Sequence, residues 1–187
     1  NELISAVVTE DIVLAGKIAN KILLHDSNNQ EAKLVSMVKA INDKRPNIVQ
    51  TLRFNENKNK NDLIEFLIFK GNSIKKNNDI SNAFLEIVKS SYANYDEDYS
   101  QNYNFLLFYT SLSILIDNTN YEAIFIKAQL FQMINDYLSA EATYQKIPKK
   151  SNFYLEAQRN IAFNYLNENG FEDVESKIIS IVKKNKE

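Results

Sequence analysis

Asn135-Asp136-Tyr137-Leu138-Ser139-Ala140 returns in altered form 34 residues later as Asn169-Gly170-Phe171-Glu172-Asp173-Val174. The interval holds outward from there: Ala128 aligns with Ala162, Phe131 with Tyr165, Tyr144 with Ile178 and Ile147 with Ile181. Upstream, Glu10-Asp11-Ile12 and Asn78-Asp79-Ile80 lie 68 residues apart, two such periods. A fixed period of this length marks a helix-turn-helix repeat, in which each helix pair hides its apolar face only by stacking on its neighbours. The expected fold is therefore all-α, built of antiparallel helix pairs.

Composition agrees. Hydrophobic residues make up 44% of the 187 residues, enough for a core, while 3 Gly and 2 Pro point to helices joined by short polar turns. Asn is frequent, but it sits mostly in turns and on polar helix faces. The net charge of −2 gives no basic field to draw in nucleic acid. With no cysteine there are neither disulfides nor thiolate metal sites. No apolar run reaches the roughly 18 residues that a bilayer span needs. The longest, Phe105 to Ile116, is interrupted by Thr110, Ser111 and Ser113.

Within a well-formed unit, a first helix carries a small residue and, three later, an aromatic or aliphatic one. An Asn-Asp or Asn-Gly turn follows, and the second helix opens on an apolar residue with a small one three positions on. Small residues at the contact let helix axes approach closely, and the turn Asn or Asp can accept N–H bonds at the next helix start. This pattern resembles the tetratricopeptide repeat family. Tyr121 to Tyr154 matches with Ala128, Phe131, Ala140 and Tyr144, and Leu155 onward with Ala162, Tyr165, Val174 and Ile178. Ile64 to Glu97 fits with Gly71, Ile74, Ala83 and Ile87. The family's inter-repeat turn shows as Asp26-Ser27-Asn28-Asn29 before Glu31-Ala32, and as Asp117-Asn118-Thr119-Asn120 before Glu122-Ala123, both without proline. The resemblance implies a right-handed superhelical array, an α-solenoid of about 10–11 helices.

The period also fails in two places. Pro46 stands where a second helix should begin, a position proline tolerates, but Asn55 to Asn61 is too polar to pack and reads as a loop. Between Ile80 and Tyr137 about 23 residues are surplus. One additional helix near 101–116, apolar on most sides, is expected there, wedged between blocks 1–97 and 121–187 of a single repeat domain joined by a non-repeat segment 98–120. The alternative is a helix pair of 80–95 with 101–116, the surplus lying earlier. Leu3 and Ala6 fall on a first helix that begins midway, which reads as a fragment of a longer protein. A last helix, about Phe171 to Lys184, has an apolar face and a charged one, as a cap would.

The residues offer little for chemistry. His25, the single histidine, lies at a helix end, where it complements the macrodipole. Gly16-Lys17 lacks the rest of a phosphate loop. Asp96-Glu97-Asp98 lacks calcium-ligand spacing, and pairs such as Glu172-Asp173 or Asp136 with Glu141 have no apolar pocket to tune a general acid. No catalytic, cofactor-binding or metal site is expected. Lys75-Lys76, Lys149-Lys150 and Lys183, Lys184, Lys186 read as solvated helix ends with no stacking platform for nucleic acid.

A protein or peptide partner is the expected ligand. First helices of stacked pairs line a concave face, which in this register includes Leu34, Val38, Ile41, Ile68, Phe69, Asn72, Phe125, Ile126, Gln129, Arg159, Phe163 and Leu166. The family's carboxylate clamp of basic residues plus Asn is not reproduced by Asn72 and Arg159. Either the protein covers this apolar face itself, or the face is a partner groove. The expectation is a non-enzymatic scaffold, possible settings being cell-envelope assembly, an assembly chaperone, or a helical domain of a larger enzyme. A place in the periplasm or envelope is slightly preferred over the cytoplasm.

Overall fold

The computed structural model describes residues 2–54, 62–93, 102–169 and 179. Its helices are α1 (Glu2–Val8), α2 (Ile12–His25), α3 (Gln30–Asn42), α4 (Pro46–Phe54), α5 (Asp62–Ile68), α6 (Asn77–Ala93), α7 (Tyr103–Ile116), α8 (Tyr121–Met133), α9 (Tyr137–Tyr144) and α10 (Tyr154–Asn169). Two short strands, β1 (Phe69–Lys70) and β2 (Ser73–Ile74), lie between α5 and α6. The fold is all-α, with neighbouring helices packed on one another. The chain divides into two compact units, Asn1–Asn120 and Tyr121–Glu187. The Asn55–Asn61 loop, Asp96-Glu97-Asp98 and the expected last helix lie outside the described residues.

The repeat is plainest in the backbone of the turns. Glu10, Lys44 and Asn135 all adopt positive φ, at 61°, 56° and 60°. At each, two N–H groups turn back to satisfy carbonyls of the helix just ended. Asp11 N donates to Ala6 O and Glu10 N to Val7 O, as Arg45 N does to Ala40 O and Lys44 N to Ile41 O. Asp136 N and Asn135 N repeat this on Phe131 O and Gln132 O. This is the Schellman arrangement, which closes a helix on a left-handed residue. Asp11 then caps α2 by accepting from Leu14 N at 2.9 Å, and Asp136 caps α9 by accepting from Ser139 N at 3.1 Å. In the middle copy the first helical position is Pro46, whose missing N–H needs no cap.

The second kind of turn repeats as well. Asp26 Oδ1 accepts from Asn28 N and Asp26 O from Asn29 N, and Asp117 treats Thr119 and Asn120 in the same way. Counted along the chain from these turns, the bounds of α2, α3 and the start of α4 recur 91 residues later as those of α7, α8 and the start of α9, with both full helices agreeing in length. The helix expected at 101–116 is thus present as α7, and it is buried at nearly every position from Leu106 to Ile116. It packs on α6, α1 and α3, as in the second of the two arrangements that the spacing left open. The surplus length is shared. α3, α6 and α8 open at Gln30, Asn77 and Tyr121, intervals of 47 and 44 residues where the period would give 34.

In the first unit Leu34, Val35, Met37 and Val38 of α3 and Phe84, Leu85 and Val88 of α6 join Leu112 of α7 in the core. Small residues set the helix spacings. Gly16 of α2 is buried beneath the stem of Lys39, a flexible side chain that an added Cβ would push aside. Ser81 and Ser113 join α6 to α7. Their hydroxyls are 2.8 Å apart and each lies within 3.0 Å of the other's carbonyl. Asn120 Nδ2 donates to Ser81 Oγ from the side at 2.9 Å. Asn42 and Asn77 donate to the carbonyls of Leu115 and Ile116, groups a helix end otherwise leaves without partners.

One expected helix is corrected. The unit read from Ile64 to Glu97 needs a first helix running through Gly71 and Ile74, but α5 ends at Ile68 and a hairpin follows. Phe69 faces Ile74 and Lys70 faces Ser73 across a Gly71-Asn72 turn, with Gly71 at φ 61°. Glycine takes that conformation without strain, and Gly-Asn between alternating residues is a hairpin signal.

In the second unit α9 packs on both α8 and α10. Tyr144, fully buried, is their shared post. Its hydroxyl donates to Gln132 Oε1 at 3.2 Å and accepts from Asn160 Nδ2 at 3.0 Å, and its ring lies 5.4 Å from that of Phe125.

Candidate partner-binding faces

Of the twelve residues assigned to a concave face, five are core. Leu34 and Val38 of α3, Ile68 of α5, Phe69 of β1 and Phe125 of α8 are all buried. The self-covered account holds for them: their surroundings are other residues of this chain. Ile41, Ile126, Gln129 and Leu166 are half-buried. Asn72 is exposed at the hairpin tip, where its carbonyl accepts from Gln50 Nε2 at 3.3 Å. Arg159 and Phe163 are exposed on α10. Six of the twelve belong to each unit.

The α10 residues form a face. Leu155, Arg159 and Phe163 follow at four-residue steps, so they lie along one side of the helix. Leu155 is 73% and Phe163 52% exposed. Arg159 pairs with Glu156 at 3.1 Å in solvent, an interaction of little energetic weight. Ala157, Ile161 and Asn164 are buried on the opposite side, and the Asn160–Tyr144 bond fixes how the helix is turned. Nothing in the repeat register pointed to Leu155. Nor did it point to Met133, Ile134 and Leu138 around the α8–α9 bend, which are also exposed, Leu138 at 74%.

A polar anchor holds the hairpin. Arg53 of α4 grips both carboxylate oxygens of Glu65 at 2.7 and 2.8 Å and donates to Gly71 O at 3.0 Å. Its guanidinium also lies 4.3 Å from the centre of the Phe69 ring. Lys75 covers the exposed Phe66, with its ammonium bonded to the Phe66 carbonyl. These contacts connect and orient elements, and none leaves a nucleophile beside a base.

Among the described residues two groups have clearly shifted titration. The Asp43 carboxyl is held below its usual value by its bond with Lys39, and burial, helped by the charge of Glu31, raises the Tyr109 phenol. Tyr109 sits in an aromatic cluster with Phe84, Phe105 and Phe108. His25 is exposed in the last turn of α2. Among the described residues there is no grouping of three or more His, Asp or Glu side chains that could hold a metal ion, and no helix is long and apolar enough to cross a membrane.

Compared with known proteins, the chain matches no family model, no curated protein and no solved structure.

Proposed function

We propose that this chain is a non-enzymatic interaction scaffold that seats an apolar segment of a partner protein on the outer face of α10. The observation that carries the reading is the exposure of Leu155 and Phe163 on a helix whose opposite side is locked into the unit. Burying a large apolar side chain in a partner's surface contributes about 1.5–3 kcal/mol, and a few such anchors dominate most interfaces. Two anchors give modest, reversible binding, suited to an adaptor. The twice-repeated turns and paired helices support placing the chain among divergent tetratricopeptide-like proteins.

The test is affinity capture from the native lysate with the full chain, followed by identification of what co-purifies, alongside Leu155→Glu and Phe163→Glu. Both variants are expected to keep the wild-type circular dichroism and melting temperature while losing the captured protein. Unfolding of Phe163→Glu would make Phe163 core. Undiminished capture by both variants would remove α10 from the interaction.

A further inference from the structure

The 91-residue correspondence pairs α2 with α7 residue by residue, and the two helices differ in how they are covered. Phe108, Ser111 and Leu112 of α7 are buried beneath neighbouring helices. Their equivalents on α2 are Lys17, Asn20 and Lys21, and all three are exposed. Three helices pack on α7, whereas α2 has α1 and α3. Replacing Phe and Leu by Lys suits a face that meets water, but the ends of the same face remain apolar. Val13 is 54%, Leu14 46% and Leu24 83% exposed.

The charge on this face is of one sign. No Asp or Glu lies between Ile12 and His25. Among the described residues neither Lys17 nor Lys21 has an ion-pair partner, in contrast to Lys39, Arg53, Lys89 and Arg159. The flanking acids are engaged as caps, Asp11 with Leu14 N and Asp26 with Asn28 N. Lys17 and Lys21 are one turn apart and project together.

We infer that the outer face of α2 is a docking site for an amphipathic helix of a partner protein. That helix carries two carboxylates one turn apart, opposite Lys17 and Lys21, with apolar residues at both ends to cover Val13, Leu14 and Leu24. Helical form follows from α7, where neighbouring helices cover the positions equivalent to Lys17, Asn20 and Lys21. Acidic character follows from the two unpaired lysines, which set register and orientation more than raw affinity. This face is separate from α10 and does not depend on the reading given to it.

The probe is a fluorescein-labelled amphipathic helical peptide with two glutamates one turn apart flanked by leucines, compared with a counterpart carrying lysines in their place. Fluorescence anisotropy with the full chain at low salt is expected to show the glutamate peptide binding at least tenfold more tightly, a preference that shrinks as salt rises. Lys17→Glu with Lys21→Glu should reverse the preference, Leu24→Ser should weaken both peptides, and Phe163→Glu should change neither. Circular dichroism reports that the variants fold, as expected for exposed positions. The proposal is overturned if the glutamate peptide fails to bind, if the two peptides bind alike, or if the lysine exchange leaves the preference unchanged. A wild-type dimer in light scattering that Leu24→Glu dissolves would also overturn it, giving the face to a second copy of this chain.

Discussion

Arg53→Ala tests whether the hairpin between α5 and α6 is held by one side chain. The guanidinium makes three kinds of contact: the two-pronged pair with Glu65, the bond to Gly71 O and the approach to the Phe69 ring. The Glu65 side chain is 38% exposed, so solvent screens the pair, and about 1 kcal/mol is a fair value for it. The carbonyl bond contributes about 1 kcal/mol and the ring contact about 0.5–1 kcal/mol. The expected loss is therefore about 2–3 kcal/mol in urea unfolding. Arg53→Lys keeps the charge but not the planar fork, and should lose about half as much. Amide hydrogen exchange localises the effect. The Lys75 N–H, which donates to Ile68 O at 2.8 Å, should exchange faster in Arg53→Ala, while amides inside α8 remain protected. Wild-type stability in Arg53→Lys would refute the fork geometry. Exchange that rises everywhere except at the hairpin would refute the anchor itself.

Three further outcomes follow from the same reasoning. Tyr144→Phe should destabilise the second unit by about 1 kcal/mol in urea unfolding, because Gln132 and Asn160 lose a common partner at a site that water can partly reach; no change would mean that the hydroxyl is dispensable. Burial raises the Tyr109 phenol, so the folded chain holds its proton after the unfolded chain has released one near pH 10. Its contribution is then fully present below that pH and is lost as pH climbs through the raised value. In Tyr109→Phe the alkaline fall in melting temperature should be shallower. Lys44→Gly and Glu10→Gly should each stabilise by about 0.5–1 kcal/mol by relieving left-handed strain. Asn135→Gly should gain less, because asparagine already tolerates that conformation; a loss of stability at Lys44→Gly would contradict the observed φ.

The paired helices were legible because their signals are local. Asp11, Pro46 and Asp136 mark helix starts that the structure places at Ile12, Pro46 and Tyr137. The hairpin was missed because Gly71 had two readings, a small residue at a helix contact or a residue free to take positive φ. The 34-residue register favoured the first, although Phe69-Lys70-Gly71-Asn72-Ser73-Ile74 alternates as strands do. The candidate faces were legible only in part, for a physical reason. Leu34 and Phe163 are both large apolar residues on first helices, and sequence alone does not say which has a neighbour over it. The neighbour is supplied by pairing distant in the chain, as α1 and α3 supply it for α7. Exposure of Leu24 could not be read until α7 gave an equivalent, the half-buried Leu115, to measure it against.

The left-handed bends carry a wider consequence. Each is closed by backbone bonds that any residue able to adopt positive φ can make, although Asn135 Oδ1 also accepts from the Tyr137 hydroxyl at 2.8 Å. Nature has filled the three with glutamate, lysine and asparagine: one acid, one base and one neutral amide. Charge at the tips of the helix pairs can therefore drift through evolution while the scaffold stays put. Such bends are sites where a repeat protein can acquire a new electrical identity, and with it a new neighbour, by a single substitution.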